Sequence, residues 1–189
     1  MPVRGWSLIT SSVTPSAAEN TTAVVNLTAT DADLPGQTVS FSITGGADAA
    51  LFQIVGGQLE FIAAPDYEAP ADADANNVYQ VQVTADDGAG RTAVQDLSVT
   101  VTPVNDNDPV ITSSATPSVA ENTTAVVNLT ATDADLPAQT VSFSITGGAD
   151  AALFQIVGGQ LEFIAPPDYE APADADANNI YQVQVTADD

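Results

Sequence analysis

Residues 9–87 of this chain recur as residues 111–189 with only five differences in 79 positions, and no other feature limits its fold as strongly. The differences are mild: Val13/Ala115, Ala17/Val119, Gly36/Ala138, Ala64/Pro166 and Val78/Ile180. A period of 102 residues is the size of a whole domain and much longer than a solenoid unit, so each copy must bury a core of its own. The copies are assigned to residues 10–108 and 109–189, joined near "VNDNDP" at positions 104–109. Near-identical neighbours point to recent duplication within a longer array. The second copy reaches Asp189 with no counterpart of "GAGRTAVQDLSVTVTPVNDNDP", so its sheet is expected to lack the last strand. A piece cut from a longer array would read this way, and residues 110–189 alone are expected to be less stable than residues 10–109.

Within a copy the dominant period is two, the signature of half-buried strands. "VNLTA" sets Val25, Leu27 and Ala29 against Asn26 and Thr28, and "VSFSI" sets Val39, Phe41 and Ile43 against Ser40 and Ser42. "YQVQVTA" and "LSVTV" alternate in the same way, with Tyr79, Val81, Val83 and Ala85 inward in the first and Leu97, Val99 and Val101 inward in the second. "FQIVGGQLEFI" predicts a hairpin, because Gly56 and Gly57 can both take the positive φ of a two-residue turn. "GGADAALF" predicts one helical turn, and no other stretch carries a helical stripe. About seven short strands per hundred residues, apolar on one face, predict an all-β chain. The expected fold is a tandem pair of seven-stranded Greek-key β-sandwiches of immunoglobulin-like size, the second truncated before its last strand.

Charge removes several classes of function. The chain has 25 acidic residues, two cationic ones (Arg4 and Arg91), no His and no Cys, for a formal charge of −23. A folded protein this acidic repels itself unless cations bind. A nucleic-acid partner is excluded, since two arginines make no basic face, and an anionic membrane surface is disfavoured likewise. The chain has no apolar run long enough to span a membrane, and its start has no signal-peptide apolar core, so an export signal would lie outside this sequence. Without His, Cys or Lys, the usual nucleophilic triads and Ser-Lys pairs cannot form, and the chain is not expected to be an enzyme. "NTT" and "NLT" fit glycosylation sequons, which in so Thr-rich a chain read as coincidence.

The acidic residues cluster in loops: Glu19 in "AEN", Asp31 and Asp33 in "DAD", Asp66 and Glu68 in "DYE", Asp72 and Asp74 in "DADANN", Asp86 and Asp87 in "ADD", and the linker Asn105, Asp106, Asn107 and Asp108. Hard divalent cations take six to eight oxygen ligands, and Ca²⁺ accepts the irregular geometry that loops provide. Alternate Asp residues on an extended backbone point the same way and can share one ion. Zinc, iron and copper sites use His or Cys, and neither is present. Any one of these motifs alone is more often a solvated turn or strand end than a site.

Taken in order, "AEN" (120–122), "ATDAD" (29–33 and 131–135), "DYE" (66–68 and 168–170), "ADD" (85–87) and "VNDNDP" resemble the cadherin repeat, in particular the cadherin-like repeats of bacterial surface and secreted proteins. Two departures from that pattern are Pro103, at the first Asp of the linker, and Tyr in place of Arg in "DYE". The resemblance implies an extracellular, calcium-binding cell-adhesion segment of a larger membrane-associated protein at a bacterial cell surface. It also implies a metal-ligand set of Glu19, Asp66 and Glu68 from the first copy, Asn105, Asp106 and Asn107 from the linker, and Asp133, Asp135 and Asp189 from the second, holding up to three Ca²⁺ ions. Asp31, Asp33 and Asp87, and Glu121, Asp168 and Glu170, would form half-sites that bind weakly or not at all. "DADANN" has no counterpart in the animal cadherin pattern and is left open between an extra calcium loop and a hydrated loop. The implied partners are neighbouring repeats of the same array. The alternative is a homophilic or carbohydrate-binding module, for which aromatic platforms are scarce, Trp6 being the one Trp.

Overall fold

The computed structural model describes residues 8–31 and 38–189; Arg4, Trp6, Asp33 and Gly36 lie outside them. The chain divides into two compact units, Met1–Val104 and Asn105–Asp189. Every regular element among the described residues is a strand, apart from two three-residue 3₁₀ turns, Ala49–Leu51 and Ala151–Leu153, where a helical turn was predicted.

The first unit contains β1 (Leu8–Ile9), β2 (Ser16–Ala18), β3 (Ala23–Asn26), β4 (Ala29–Thr30), β5 (Ser40–Gly45), β6 (Phe52–Val55), β7 (Gln58–Phe61), β8 (Val78–Asp86) and β9 (Thr92–Thr102). One sheet has the order β2-β9-β8-β5, with β2 parallel to β9 and the other pairs antiparallel. The other has the order β3-β7-β6, and β1 pairs with β4 where the chain of β3 resumes. One of the predicted strand runs is therefore broken into two short segments. The "VNLTA" run breaks at Leu27, whose side chain is buried while its backbone N–H donates to Gly57 at 2.9 Å, outside the ladder. The predicted hairpin forms as β6 and β7 around Gly56 (φ 58°) and Gly57 (φ 86°).

The core lies where the alternation puts it. Leu59, Phe61, Tyr79, Val81, Val83, Ala85, Leu97, Val99 and Val101 are all at most 1% exposed. Phe52 stacks on Phe61 with centroids 4.5 Å apart, and Tyr79 meets the edge of Phe61 at 5.1 Å. Gly46 must be glycine twice over: its φ is +105°, and a Cβ there would lie 2.4 Å from the Gln80 carbonyl oxygen.

The second unit repeats this plan among its described residues without counterparts of β9 and of β2, the strand that pairs with β9 in the first unit. It contains β10 (Val110–Ile111), β11 (Ala125–Asn128), β12 (Ala131–Thr132), β13 (Ser142–Gly147), β14 (Phe154–Val157), β15 (Gln160–Phe163) and β16 (Gln184–Asp188). The β11-β15-β14 sheet and the Phe154–Phe163–Tyr181 cluster match the first unit closely. The opposite sheet is reduced to β13 and β16, and β16 keeps five residues where β8 has nine. Only Phe154, Leu161 and Phe163 remain fully buried among its apolar residues. Among residues 105–189 no strand pairs with the edge of β16 that corresponds to the β8 edge covered by β9.

Candidate metal centre

The first unit gathers Glu19, Asp66 and Glu68, each offering a carboxylate oxygen within 4.8 Å of the others. Glu19 follows directly after β2 and is held there by its own N–H, which donates to the Thr102 carbonyl at 3.0 Å. Its side chain is 2% exposed and accepts from Tyr67 N at 2.7 Å and from Val104 N at 2.6 Å. Asp66 turns its Oδ1 onto the N–H groups of Glu68 and Ala69, both at 3.0 Å. Glu19 thus ties the "DYE" loop and the start of the linker to the body of the unit. Replacing it by Ala (Glu19→Ala) strands two N–H donors and is expected to cost the first unit about 2 kcal/mol. Glu19→Gln, which keeps one acceptor, should recover roughly half of that loss in a denaturant titration without metal.

The second unit gathers Asp133, Asp135 and Asp189 within the same 4.8 Å limit. Asp135 is 1% exposed and accepts from Asn107 N at 3.2 Å and from Asn107 Nδ2 at 2.7 Å. Gln139 approaches its other oxygen at 3.5 Å and accepts from Asn105 Nδ2 at 3.0 Å. Asn107 also donates to Asp106 Oδ1 at 2.9 Å. The linker residues Asn105, Asp106 and Asn107 are therefore folded onto the "DAD" loop of the second unit. Asp133 spends Oδ1 on Asp135 N at 2.9 Å, while its Oδ2 is buried with no hydrogen-bond partner. A buried carboxylate oxygen beside two further carboxylates costs free energy unless a cation meets it. Arg91 is the only cationic side chain among the described residues and belongs to the other unit. A donor set made of oxygen alone fits a hard cation such as Ca²⁺.

The remaining acidic groups divide into two kinds. Glu121, Asp168 and Glu170 also come within 4.8 Å of one another, but all three are exposed. Glu121 keeps the bond from Tyr169 N at 3.1 Å. Asp87 is turned into its own hairpin, accepting from Ala89 N at 2.7 Å and Arg91 N at 3.1 Å, and these bonds hold its carboxyl below the ordinary range.

The "DADANN" loop is occupied by its own backbone. Asp72, 6% exposed, accepts from Asn76 N at 2.8 Å and Asn77 N at 3.2 Å. Asp48, just ahead of the 3₁₀ turn, leaves that turn uncapped and instead clamps Ala73 N at 2.8 Å and Gln80 N at 2.7 Å. Asp150 and Asp174 make the same bonds in the second unit. Asp48 was missed in the sequence because it lies in the stretch expected to form a helical turn, and its burial to 5% exposure is set by tertiary packing that alternation does not report. Burial raises the Asp72 pKa, but the hydrogen bonds from Asn76 N, Asp74 and Asn77 N together outweigh it and hold the carboxyl low. Asp74 is pushed up by its hydrogen bond to Asp72, with burial and the charge of Asp72 adding to it. A raised carboxyl disfavours the charged form in the folded state, so Asp74 destabilises the loop at neutral pH. Asp74→Asn is expected to raise the thermal midpoint at pH 7 in the presence of a chelator. The gain should vanish as pH falls through the Asp74 pKa, where the native side chain takes up a proton. Lower stability of this variant at pH 7 without metal would contradict the assignment.

No protein-family profile matches the chain. Mouse cadherin-23 is 34% identical over 167 residues, covering 84% of this chain and 5% of that protein. Rabbit cadherin-16 is 35% identical over 153 residues, covering 71% of this chain and 18% of that protein. The chain thus spans a small part of the curated relatives it matches. Among solved structures, the human desmocollin-1 ectodomain superposes with a TM-score of 0.69 at 21% identity, covering 97% of this chain and 37% of that one. Human protocadherin-24 EC1-2 superposes with a TM-score of 0.66 at 19% identity, covering 100% and 94%. No helix among the described residues is long and apolar enough to cross a membrane. The all-β sandwich plan, the ordered acidic motifs and these similarities together identify the two units as cadherin-like domains.

Proposed function

We propose that this chain is a calcium-binding extension segment of a large extracellular adhesin, and that calcium stiffens the connection between its repeats. The observation that carries this reading is the buried, unpartnered Asp133 Oδ2 beside Asp135 and Asp189. Glu19, Asp66 and Glu68 would hold an ion on the first unit; Asp133, Asp135 and Asp189, with the linker amides and Asp106, would hold ions on the second. The connector is tied at Val104 to Glu19 and at Asn107 to Asp135, with only two residues between those anchors. Calcium at both ligand sets would immobilise these anchors and so remove freedom from the connector. Without it, the carboxylates repel one another and loosen their hold on the chain.

Extracellular calcium modules bind at about 10⁻⁴ to 10⁻³ M, a range that millimolar calcium fills and cytosolic calcium does not. Such a segment has no need of catalytic groups and serves as a spacer at a bacterial cell surface, in contact with neighbouring repeats of its array. The test is a calorimetric calcium titration paired with small-angle scattering of residues 1–189. Saturable heat and a longer, narrower distance distribution in calcium are expected, and Asp135→Ala should remove the second unit's share of the heat and most of the lengthening. An unchanged distance distribution between chelator and 10 mM calcium would overturn the stiffening. Absence of heat would overturn calcium binding itself.

A further inference from the structure

Asp135 needs counter-charge or hydrogen-bond donors, and the second unit's own residues supply only donors. Its carboxylate is 1% exposed and lies within 4.8 Å of oxygens from Asp133 and Asp189, while residues 105–189 contain no Lys, Arg or His. A buried charge so placed is tolerated only where polar groups point at it. Here they are neutral amides. Asn107 N–H lies 3.2 Å from Oδ1 and 3.3 Å from Oδ2, and Asn107 Nδ2 donates to Oδ1 at 2.7 Å. Gln139 brings its Nε2 to 3.5 Å from Oδ2.

Gln139 differs from Asn107 in what its other end does. It sits in the loop between β12 and β13, four positions after Asp135, and its Oε1 accepts from Asn105 Nδ2 at 3.0 Å, across 34 positions of sequence. One planar amide thus joins the connector to the buried carboxylate. Its orientation is decided by its neighbours. The reverse would set Oε1 against the Asp135 carboxylate and Nε2 against the Asn105 amide nitrogen, acceptor to acceptor and donor to donor. In the orientation observed, the amide dipoles of Asn105 and Gln139 both point their donors toward the negative charge, and each bond polarises the next.

We propose that Gln139 is a positioning residue for the connector: its amide keeps Asn105 tied to Asp135, so that this part of the connector is ordered before a cation arrives. In chelator, Asp133, Asp135 and Asp189 repel one another, and the amide relay opposes the displacement of the connector that follows. Two replacements separate this role from simple packing. Gln139→Met keeps the length and volume of the side chain but removes the donor and the oxygen acceptor. Gln139→Glu keeps an acceptor for Asn105 and sets a further carboxylate against Asp135. The consequence for cation binding rests on the calcium reading above: a connector already in place loses less freedom on binding, so apparent affinity falls with the ordered fraction.

The test is residue-resolved amide exchange on residues 1–189 and its variants, in chelator and through a calcium titration. In chelator, Gln139→Met should exchange about 5-fold faster at Asn107 N–H, the effect of losing roughly one net hydrogen bond, and Gln139→Glu faster still. Amides of the β11–β15 pair should not change in either variant. Asn105→Leu should give the same acceleration as Gln139→Met, and combining the two should add little, since the residues act as one unit. In the titration, the calcium midpoint read at the Asp133 and Asp135 amides should rise by about 2- to 5-fold in Gln139→Met. The proposal is overturned if Gln139→Met exchanges like the native chain at Asn107, or if the β11–β15 amides accelerate as much, the mark of general destabilisation. Full additivity with Asn105→Leu, or an unchanged midpoint in a chain that does respond to calcium, would overturn it too. A native chain with no calcium response overturns the calcium reading instead, and the chelator comparison still decides the role of Gln139.

Discussion

Raising calcium from chelator to 10 mM is expected to lift the thermal midpoint of residues 1–189 by at least about 10 °C. For a site with a dissociation constant near 10⁻⁴ M, that concentration is about 100-fold in excess and stabilises the folded state by about 2.7 kcal/mol per ion. The two carboxylate sets, Glu19–Asp66–Glu68 and Asp133–Asp135–Asp189, would each contribute. One kcal/mol moves the midpoint of a domain this size by roughly 4–8 °C. The effect is linked to pH, because ions compete with protons for the same carboxylates, so it should shrink steadily below the ordinary carboxylate range. Asp135→Ala should remove most of the shift assigned to the second unit, while Asp72→Ala should leave the calcium increment unchanged and lower the baseline instead. Magnesium at the same concentration should do less, since it sheds water reluctantly and needs octahedral geometry. A midpoint insensitive to calcium would remove the proposed function at its root.

The second large effect concerns the two units taken apart. A polypeptide of residues 10–109 is expected to be more stable than one of residues 110–189 by about 5 kcal/mol or more. Leu97, Val99 and Val101 are buried to within 1% in the first unit, and each is worth about 1.5–3 kcal/mol of apolar transfer. A polypeptide that stops at Asp189 holds no residues in their place, and there Tyr181, Val183 and Val185 are only half-buried. The smaller unit orders fewer residues, which returns some conformational entropy but does not restore the uncovered sheet. Against a typical domain stability of about 5–15 kcal/mol, residues 110–189 alone should sit near the folding threshold. Equal denaturant midpoints for the two polypeptides would refute this.

The fold was legible because its determinants are local. Alternation identifies the inward faces of β5, β8 and β9, and a Gly-Gly pair marks the β6–β7 hairpin. The break in the "VNLTA" run and the short strands β1 and β2 were not legible, because they occur where the chain passes between sheets to pair with different partners: β1 with β4, and β2 with β9. Periodicity reports which face of a strand is apolar and says nothing of which neighbour its backbone meets. The acidic motifs were legible as candidate ligands for a related reason: their spacing within a loop is a local fact.

What the sequence determined by itself is the repeat, the strand content, the charge that calls for cations, and the absence of soft metal ligands. What only the tertiary structure decided is which carboxylates have oxygens to spare. "DAD" at 133–135 and "DAD" at 72–74 read alike, yet Asp72 spends both oxygens on Asn76 and Asn77, while Asp133 keeps a buried oxygen without a partner. The difference comes from long-range geometry. Asp48, 24 positions before Asp72, clamps one end of the first loop against the sheet, and the backbone then turns its N–H groups onto Asp72. Asp135, 28 positions after Asn107, draws the linker in beside Asp133 and Asp189. A carboxylate becomes a ligand or a loop clamp according to whether the folded chain brings it N–H donors or other carboxylates, and that is fixed by packing rather than by spacing.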